Sequence, residues 1–490
     1  MNTAPRHIVL KAASTASVLF SLLLTTCGLG QGPQNEHTSS DSLDKGSRKE
    51  ARNVQLITLD PGHFHAALIQ KRMYPEVSPL VHVYALEGND LQMHMDRING
   101  FNTRTNQPTA WQSKVYTGSD FLDKMLADRS GNLVVLSGNN SRKAEYILKS
   151  VQAGYNVLSD KPMAITPKDF ELLKEAFKTA AEKGVLLYDL MTERHEITTI
   201  LQKALSRFPK VYGTQDTGTP DDPAVTKESV HYFFKQVAGK TLQRPPWFYD
   251  TRQQGEAIVD VTTHLTDLIQ WELFPDVTLS PTDVNVVKAR TWKSPVTLDQ
   301  FTSSTAAAEW PAYLKQDLDD KGVLQCKANG EFVYTLKGVY AKIAVLWNFQ
   351  APAGAGDTHY SLMRGTRSSL IIKQGEPEGY KPVLYVEPRL DSAAKQDAFA
   401  SALTKAIEEI NKTYPGIGVM KHGANYKITV PACYAVGHEA HFGQVAEKYL
   451  GYLKNRNMPA WEVPNMLVKY HTIMEAYKLS REAGERPQGL

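Results

Sequence analysis

Two short segments contain residue types that could move a proton to or from a substrate hydroxyl group. Lys161 lies in Asp160-Lys161-Pro162, directly after the apolar run Asn156-Ser159. A lysine at this place can hydrogen-bond a substrate oxygen and stabilise the negative charge that develops on it. Asp260 and His264 are four residues apart, a spacing that places both side chains on one face of a helix. Such a pair could handle the hydroxyl proton; a capping or surface interaction is the alternative interpretation.

A candidate dinucleotide site lies in the turn after the first apolar run, Val54-Leu59. Such a turn needs glycine where a pyrophosphate approaches backbone N–H groups at a helix N-terminus. Of the GxGxxG pattern only the middle glycine is present, as Gly62, and the flanking glycine positions hold Asp60 and His65. Glu87 follows roughly twenty residues after His65, where a carboxylate would accept hydrogen bonds from ribose hydroxyls. A solvated loop acid is the alternative interpretation of Glu87.

Short apolar runs alternate with amphipathic stretches of helical length between residues 54 and 188, which is typical of a parallel sheet with crossover helices. The predicted strands are Val54-Leu59, Val81-Leu86, Leu133-Leu136, Asn156-Ser159 and Val185-Tyr188, and the clearest helices are Lys143-Ala153 and Pro167-Lys183. After Met191, longer runs with strand character indicate an antiparallel or mixed sheet. The fold prediction is therefore an α/β Rossmann parallel sheet followed by an α+β domain on a mostly antiparallel open sheet.

The N-terminus indicates export. Arg6 and Lys11 precede a short apolar run, Val18-Leu24, that is too short to span a bilayer and ends in the lipobox-like Leu24-Thr25-Thr26-Cys27. We expect a periplasmic or outer-membrane-anchored lipoprotein with Cys27 acylated; a plain cleaved signal peptide is the alternative. The predicted organisation is a signal peptide (1–27), a flexible tether (28–51), a Rossmann NAD(P)-binding domain (52–190) and a C-terminal substrate-binding α+β domain (191–490).

Two spaced motifs resemble the Gfo/Idh/MocA (glucose-fructose oxidoreductase/inositol dehydrogenase) family. The stretches 134–140 and 153–164 are similar to its Thr-Pro-Asn-like loop, Ala-Gly-Lys-His-Val-like strand and Glu-Lys-Pro motif, with Asp160 in place of glutamate. Its Asp-x-Gly-x-His helix, with a further aspartate three residues later, is matched by Asp260, His264 and Asp267, although Thr262 replaces the glycine. A third segment, 359–370, resembles the family's edge-of-sheet strand more loosely.

The resemblance implies an NAD- or NADP-dependent oxidoreductase that acts on a sugar, glycoside or polyol hydroxyl by hydride transfer. It implies Lys161, Asp260 and His264 as catalytic residues. The residues expected to bind the cofactor are Gly62, His63, His65, Glu87, Ser137, Asn139, Asn140, Asp160 and Lys161. Arg194, His231 and Trp247 are candidate substrate contacts, with surface exposure or core packing as the alternative.

Two other functions remain open at this point. Some members of the family oxidise a sugar only transiently, with bound NAD, in order to cleave a glycosidic bond. A sugar-binding surface lipoprotein that has lost the cofactor is the non-catalytic alternative, and the altered glycine turn motivates it.

Composition and spacing exclude other classes of partner. The formal charge is only +3 over 490 residues, and Lys and Arg are scattered, so nucleic acid is not expected to bind. We expect a small-molecule carbohydrate, membrane contact only through a lipid anchor, and we leave homo-oligomerisation open. No metal is expected, because His438 and His441 are three apart instead of four and no Cys or acidic cluster accompanies His63 and His65 in the sequence. The sequence does not determine whether Cys326 and Cys433 pair.

Overall fold

The computed structural model describes residues 53–237, 240–390 and 393–482. These residues belong to one compact unit. The predicted signal peptide, the lipidation site Cys27 and the predicted tether lie outside the described residues. Within the described ranges, no helix is long and apolar enough to cross a membrane.

The N-terminal part alternates strands with helices, as the sequence predicts. Its elements are β1 (Leu56–Leu59), α1 (His65–Leu68), β2 (Leu80–Ala85), α2 (Asn89–Thr103), β3 (Gln112–Thr117), α3 (Phe121–Asp128), β4 (Leu133–Leu136), α4 (Lys143–Gln152), β5 (Asn156–Ser159), α5 (Pro167–Lys183) and β6 (Leu187–Asp189). The six strands pair in parallel in the order β3-β2-β1-β4-β5-β6. The carboxyl ends of β1 and β4 meet where the strand order reverses, which is where ligands bind in open α/β sheets.

The local sequence explains why the alternation of apolar and amphipathic stretches predicts some of these helices and strands and not others. The helix α5 begins where expected, because Thr166 and Asp169 form a reciprocal capping box and Pro167 takes the first helical position. The strand β3 was not predicted. It lies at the sheet edge with most of its side chains exposed, so it lacks the apolar run that marks the interior strands.

The C-terminal part contains a nine-stranded mixed sheet. The strands of this part of the chain are β7 (Val225–Phe234), β8 (Gln236–Val237), β9 (Lys240–Thr241), β10 (Val284–Val296), β11 (Leu324–Leu336), β12 (Val339–Gln350), β13 (Thr358–Arg364), β14 (Ser368–Gln374), β15 (Val383–Pro388), β16 (Gly418–His422) and β17 (Asn425–Thr429). The large sheet has the order β10-β11-β12-β7-β13-β14-β15-β17-β16, and β8 and β9 form a separate hairpin. Within the large sheet the pair β12 and β7 is parallel and the other pairs are antiparallel. The prediction of a sheet edge at residues 359–370 is wrong, because β13 and β14 lie inside the sheet.

Seven helices accompany this sheet in the described residues. They are α6 (Ile197–Leu205), α7 (Thr251–Gln254), α8 (Thr262–Leu273), α9 (Leu298–Thr305), α10 (Ala393–Ile410), α11 (His438–Asn455) and α12 (Glu462–Glu482). A fully buried ion pair between Lys227 on β7 and Glu272 on α8, 2.8 Å long, ties α8 to the sheet.

The last helix returns to the nucleotide domain. The Tyr470 hydroxyl of α12 donates to Asp189 Oδ2 at the end of β6, at 2.7 Å, and accepts from the backbone N–H of Met163, at 2.8 Å. The two domains therefore share a packed boundary. Of the described cysteines, Cys326 is buried and Cys433 is exposed, and no disulfide joins them.

Candidate active site

An ion pair joins the two domains at the predicted catalytic residues. Lys161 follows β5, and its Nζ lies 2.6 Å from Oδ1 of Asp260, which precedes α8. The other carboxylate oxygen of Asp260 accepts from Gln254 Nε2 at 3.1 Å. Asp260 is buried, whereas the lysine side chain keeps 12% of its surface exposed. The aspartate thus holds the ammonium group where the N-terminal and C-terminal parts of the chain meet.

His264 lies in the first turn of α8. This helix begins at Thr262, so Asp260 lies in the turn before the helix and not on the helix face predicted for both residues. Burial, followed by the positive charge of nearby Lys161, lowers the pKa of His264 to about 3. The imidazole is therefore neutral at neutral pH, and its buried Nδ1 has no hydrogen-bond partner among the described residues. The structure thus brings Lys161, Asp260 and His264 together.

Glu193, which was not predicted from the sequence, lies in a 3-10 turn after β6. His438 at the N-terminus of α11 places Nδ1 3.3 Å from Glu193 Oε1. Burial raises the pKa of Glu193, but the hydrogen bond and charge of His438, together with His264 and His441, hold it below the ordinary value. No local pattern marks this glutamate, because its partners come from helices that follow much later in the chain.

His231 on β7 forms part of the sheet wall near the same groups. Its Nε2 lies 2.9 Å from Ser229 Oγ, its Nδ1 lies 3.3 Å from Asp357 Oδ2, and its ring stacks on Trp347 at 5.1 Å. Asp357 also accepts from Lys235 Nζ at 2.6 Å. The imidazole is thus held in one orientation while its side chain remains 21% exposed.

Electrostatic coupling connects this wall with the other groups. Burial lowers the pKa of His359 on β13 to about 4, with Lys227 the next cause, and the charges of Glu193 and His231 act on it as well. His359 therefore lies within electrostatic range of both His231 and Glu193.

The first turn differs from a glycine-rich phosphate turn. The backbone N–H groups of Gly62 and His63 both donate to the carbonyl oxygen of Ser137, at 3.2 Å each. A Cβ at Gly62 would lie 2.9 Å from Asp90 Oδ2 and 3.2 Å from Trp247 Cζ2. Gly62 thus makes room for side chains of the protein itself. These N–H donors point to Ser137, which corrects the expected role of the turn backbone.

Trp247, in the 3-10 helix Pro246–Tyr249, packs against this turn. Its Nε1 donates to Asp90 Oδ2 at 2.7 Å, and the residue is buried against Gly62. The expectation that Trp247 contacts substrate is therefore not supported, because the indole packs at the cofactor side of the domain boundary. The partner of the Trp247 indole is Asp90 of the protein and not the predicted substrate.

Asp160 is the centre of a buried polar cluster. Its Oδ2 accepts from Ser137 Oγ at 2.6 Å and lies 3.1 Å from His65 Nδ1 and 3.7 Å from His63 Nδ1. Its Oδ1 accepts from Lys143 Nζ at 2.5 Å. Sequence reasoning missed Lys143, since a lysine at the start of α4 resembles a surface residue, whereas this one is 2% exposed.

A cavity of about 380 Å³ opens at the carboxyl ends of β1, β2 and β4. Glu87 is exposed at its rim, where the sequence analysis placed the ribose ligand. Burial raises the pKa of Asp90, deeper in the cavity, to about 6. Position, size and a carboxylate after β2 all fit the adenosine half of a dinucleotide.

Two residues predicted to bind the cofactor also join the domains. Asn139 Nδ2 donates to Gln253 Oε1 at 2.7 Å, and Asn140 Nδ2 donates to the carbonyl oxygen of Gln254 at 2.8 Å. Asn139 still lines the cavity, but the amide of Asn140 is buried. The loop after β4 therefore helps to hold the C-terminal domain over the nucleotide domain.

Arg194 pairs with buried carboxylates of the protein itself. Its guanidinium is buried, forms two hydrogen bonds to Asp267 at 2.6 and 2.8 Å, and pairs with Glu462 at 3.0 Å. Lys469 Nζ on α12 lies 3.4 Å from the same Asp267. The predicted substrate contact is therefore corrected to a buried ion-pair network, and the family aspartate at position 267 belongs to that network.

Two family profiles match the chain. The "Oxidoreductase family, NAD-binding Rossmann fold" profile of Gfo/Idh/MocA proteins matches residues 91–189. The "Putative oxidoreductase C terminal domain" profile matches residues 201–481. The chain belongs to the Gfo/Idh/MocA family. The first match begins after the turn between β1 and α1, which is where this Gfo/Idh/MocA protein departs from the glycine pattern.

Solved structures agree with this assignment. A "putative oxidoreductase" from Parabacteroides merdae shares 49% identity with this Gfo/Idh/MocA protein and has a TM-score of 0.86, over 88% of this chain and 98% of that chain. GenD2 from gentamicin A biosynthesis, in complex with NAD, shares 15% identity with a TM-score of 0.54, over 90% and 98%. Biliverdin reductase from Synechocystis sp. PCC 6803, with biliverdin and NADP+, shares 14% with a TM-score of 0.51, over 88% and 99%.

The two distant structures show the shared fold alone. No curated protein is significantly similar to the chain. The family assignment makes this protein an NAD(P)-dependent oxidoreductase and sets aside the non-catalytic alternative.

Proposed function

We propose that this oxidoreductase transfers hydride between NAD and a hydroxyl-bearing carbon of a sugar, glycoside or polyol. The observation that carries the proposal is the 2.6 Å contact of Lys161 with Asp260 beside a neutral His264. A bound nicotinamide supplies the hydride acceptor. Lys161 hydrogen-bonds the reacting oxygen, and Asp260 holds the ammonium group in place. Neutral His264 accepts the hydroxyl proton as oxidation proceeds and returns it in the reverse direction.

A polyhydroxylated substrate matches the polar groups around these residues. His231 is fixed by Ser229 and Asp357, and its ring edge remains partly exposed. Glu193 and His438 provide a second polar pair near His264. Because covering polar side chains with an apolar ligand costs free energy, such walls favour a ligand with several hydroxyl groups.

We propose NAD in preference to NADP. Glu87 at the cavity rim and Asp90 inside it would repel a ribose 2′-phosphate, whereas a carboxylate accepts hydrogen bonds from a 2′-hydroxyl. Arg142 is the basic residue among the described residues that line this cavity, and Glu145 already pairs with it at 2.9 Å.

The test begins with the nucleotide. The purified full chain is titrated with NAD and NADP by calorimetry, after any nucleotide present on isolation has been extracted and identified. It is then assayed with pyranoses, methyl glycosides and polyols, with Lys161→Met as the matched inactive variant. We expect NAD to bind more tightly and at least one sugar class to be oxidised by the native chain only. Absence of nicotinamide binding, or equal turnover by Lys161→Met, would refute the proposal.

Transient oxidation followed by glycoside cleavage is a second candidate. It is favoured by His231 and Asp357, a hydrogen-bonded pair separate from Lys161 and His264, because bond cleavage needs a proton donor for the leaving group. Under this alternative, product forms from an aryl glycoside without net consumption of added NAD. Stoichiometric NADH would exclude it.

We also propose that the protein is an exported lipoprotein acylated at Cys27. The support is the basic, apolar and cysteine order of residues 6–27. Metabolic labelling with a radioactive fatty acid should mark the native chain and not Cys27→Ser. Labelling of both, or of neither, would refute the anchor.

A further inference from the structure

The histidines of the first turn and the aspartate after β5 form a compact donor set. Side-chain atoms of His63, His65 and Asp160 that can bind a metal all lie within 4.8 Å of one another. His65 and Asp160 are buried, and the His63 side chain remains 18% exposed. No local pattern predicts an acidic partner for these histidines, because Asp160 follows them by nearly one hundred residues.

The spacing of these atoms suits a small divalent cation. Ligands about 2.0–2.2 Å from zinc at tetrahedral angles lie about 3.3–3.6 Å from one another. Here Asp160 Oδ2 lies 3.1 Å from His65 Nδ1 and 3.7 Å from His63 Nδ1. We propose that His63, His65 and Asp160 bind one divalent cation of the zinc class at the cofactor turn. Two imidazoles and one carboxylate match zinc, cobalt and ferrous ions better than magnesium or calcium.

The surroundings hold the donors in place. Lys143 Nζ donates to Asp160 Oδ1, and Ser137 Oγ donates to Oδ2, the oxygen that also faces the two imidazoles. The Phe442 ring packs 4.4 Å from the His65 ring and covers it. Such outer contacts fix the orientation of metal ligands and add to affinity.

The charges around the cluster explain why binding of the cation and binding of the dinucleotide should favour each other. Two ammonium groups near the cluster are each paired with a carboxylate: Lys143 with Asp160 and Lys161 with Asp260. A divalent cation therefore adds two uncompensated positive charges. The two negative charges of a pyrophosphate would balance them. The backbone of the turn offers little to a pyrophosphate, because the N–H groups of Gly62 and His63 donate to Ser137 and α1 has only four residues. The inference rests on the dinucleotide position of the proposed function.

The experiment uses the untagged full chain treated with a chelator and then titrated with Co²⁺ alone, with and without NAD. Bound Co²⁺ is followed by its visible absorption, and metal content by mass spectrometry. We expect one Co²⁺ per chain, with affinity that rises when NAD is present and a matching rise of NAD affinity in Co²⁺. His63→Gln and His65→Gln should each weaken Co²⁺ binding about 10- to 100-fold. Co²⁺ should raise the thermal midpoint of the native chain and not of either variant.

His471→Gln, in the outer part of α12, is the matched control and should bind as the native chain does. If His65→Gln does not fold, the more exposed His63→Gln still decides the question. Stoichiometric Co²⁺ binding that survives both substitutions, or no binding with or without NAD, would overturn the site. NAD binding by the metal-free chain is measured separately, so loss of the proposed function and loss of the metal site give different results.

Discussion

Lys161 Nζ lies 2.6 Å from Asp260 Oδ1, and the two residues come from different domains. Asp260→Asn should lower kcat/KM at least about 10²-fold, since it removes the charge that positions the ammonium group. Lys161→Met should do the same, and the double variant should be little worse than either single one, because the two groups act as a unit. Steady-state kinetics at saturating NAD measures this. Exposed Asp320→Asn is the control, and additive losses would contradict a shared role.

The low pKa of His264 gives a prediction about pH. Its value of about 3 means that the imidazole is already neutral from about pH 5 upward and loses its role as base only in strong acid. In the native enzyme kcat/KM should therefore lack an acid limb near the ordinary histidine pKa. His264→Gln should lower kcat about 10²- to 10⁴-fold at every pH tested. The control is His422→Gln. An acid limb of kcat/KM near the ordinary histidine pKa that is present in the native enzyme and absent from His264→Gln would show that the imidazole is not held neutral.

Asp90 predicts a pH effect on cofactor binding. Burial raises the pKa of its carboxyl to about 6, so the group is neutral below that pH and negative above it. Because a pyrophosphate is negative, the dissociation constant for NAD should increase as the pH rises through about 6. At a surface-like dielectric this repulsion is worth on the order of 1 kcal/mol, or roughly five-fold in affinity. Calorimetry across this range should show the increase in the native chain and in Asp96→Asn, but not in Asp90→Asn.

Arg194 predicts a stability effect without a catalytic one. Arg194→Met leaves the buried carboxylates of Asp267 and Glu462 without this partner. Breaking a buried ion pair in this way costs about 3–5 kcal/mol of unfolding free energy. Urea unfolding should show the loss, while exposed Lys178→Met should unfold as the native chain does. Unchanged stability with a raised KM would instead favour the substrate contact that the sequence suggested.

Site residues could be predicted from the sequence where they lie in one local motif, and not where their partners are far away along the chain. Lys161, Asp260 and His264 can be proposed from the sequence because each lies in a local motif with fixed spacing. Glu193 and Lys143 cannot, because their partners, His438 and Asp160, lie in other elements.

The same reason explains the misassigned residues. Arg194 and Trp247 have the right chemistry for a ligand, yet buried protein partners occupy them. The parallel sheet was predictable since its interior strands are short continuous apolar runs. The edge strand β3 has no such run.

Tyr470 hydrogen-bonds Asp189 and the backbone of Met163 from the last described helix. Synthesis on the ribosome completes the nucleotide domain long before that tyrosine exists. The carboxylate of Asp189 therefore gains two of its partners, the Tyr470 hydroxyl and the Lys469 ammonium group, only after α12 has been synthesised. A chain that ended just before α12 would lack both of these contacts to Asp189.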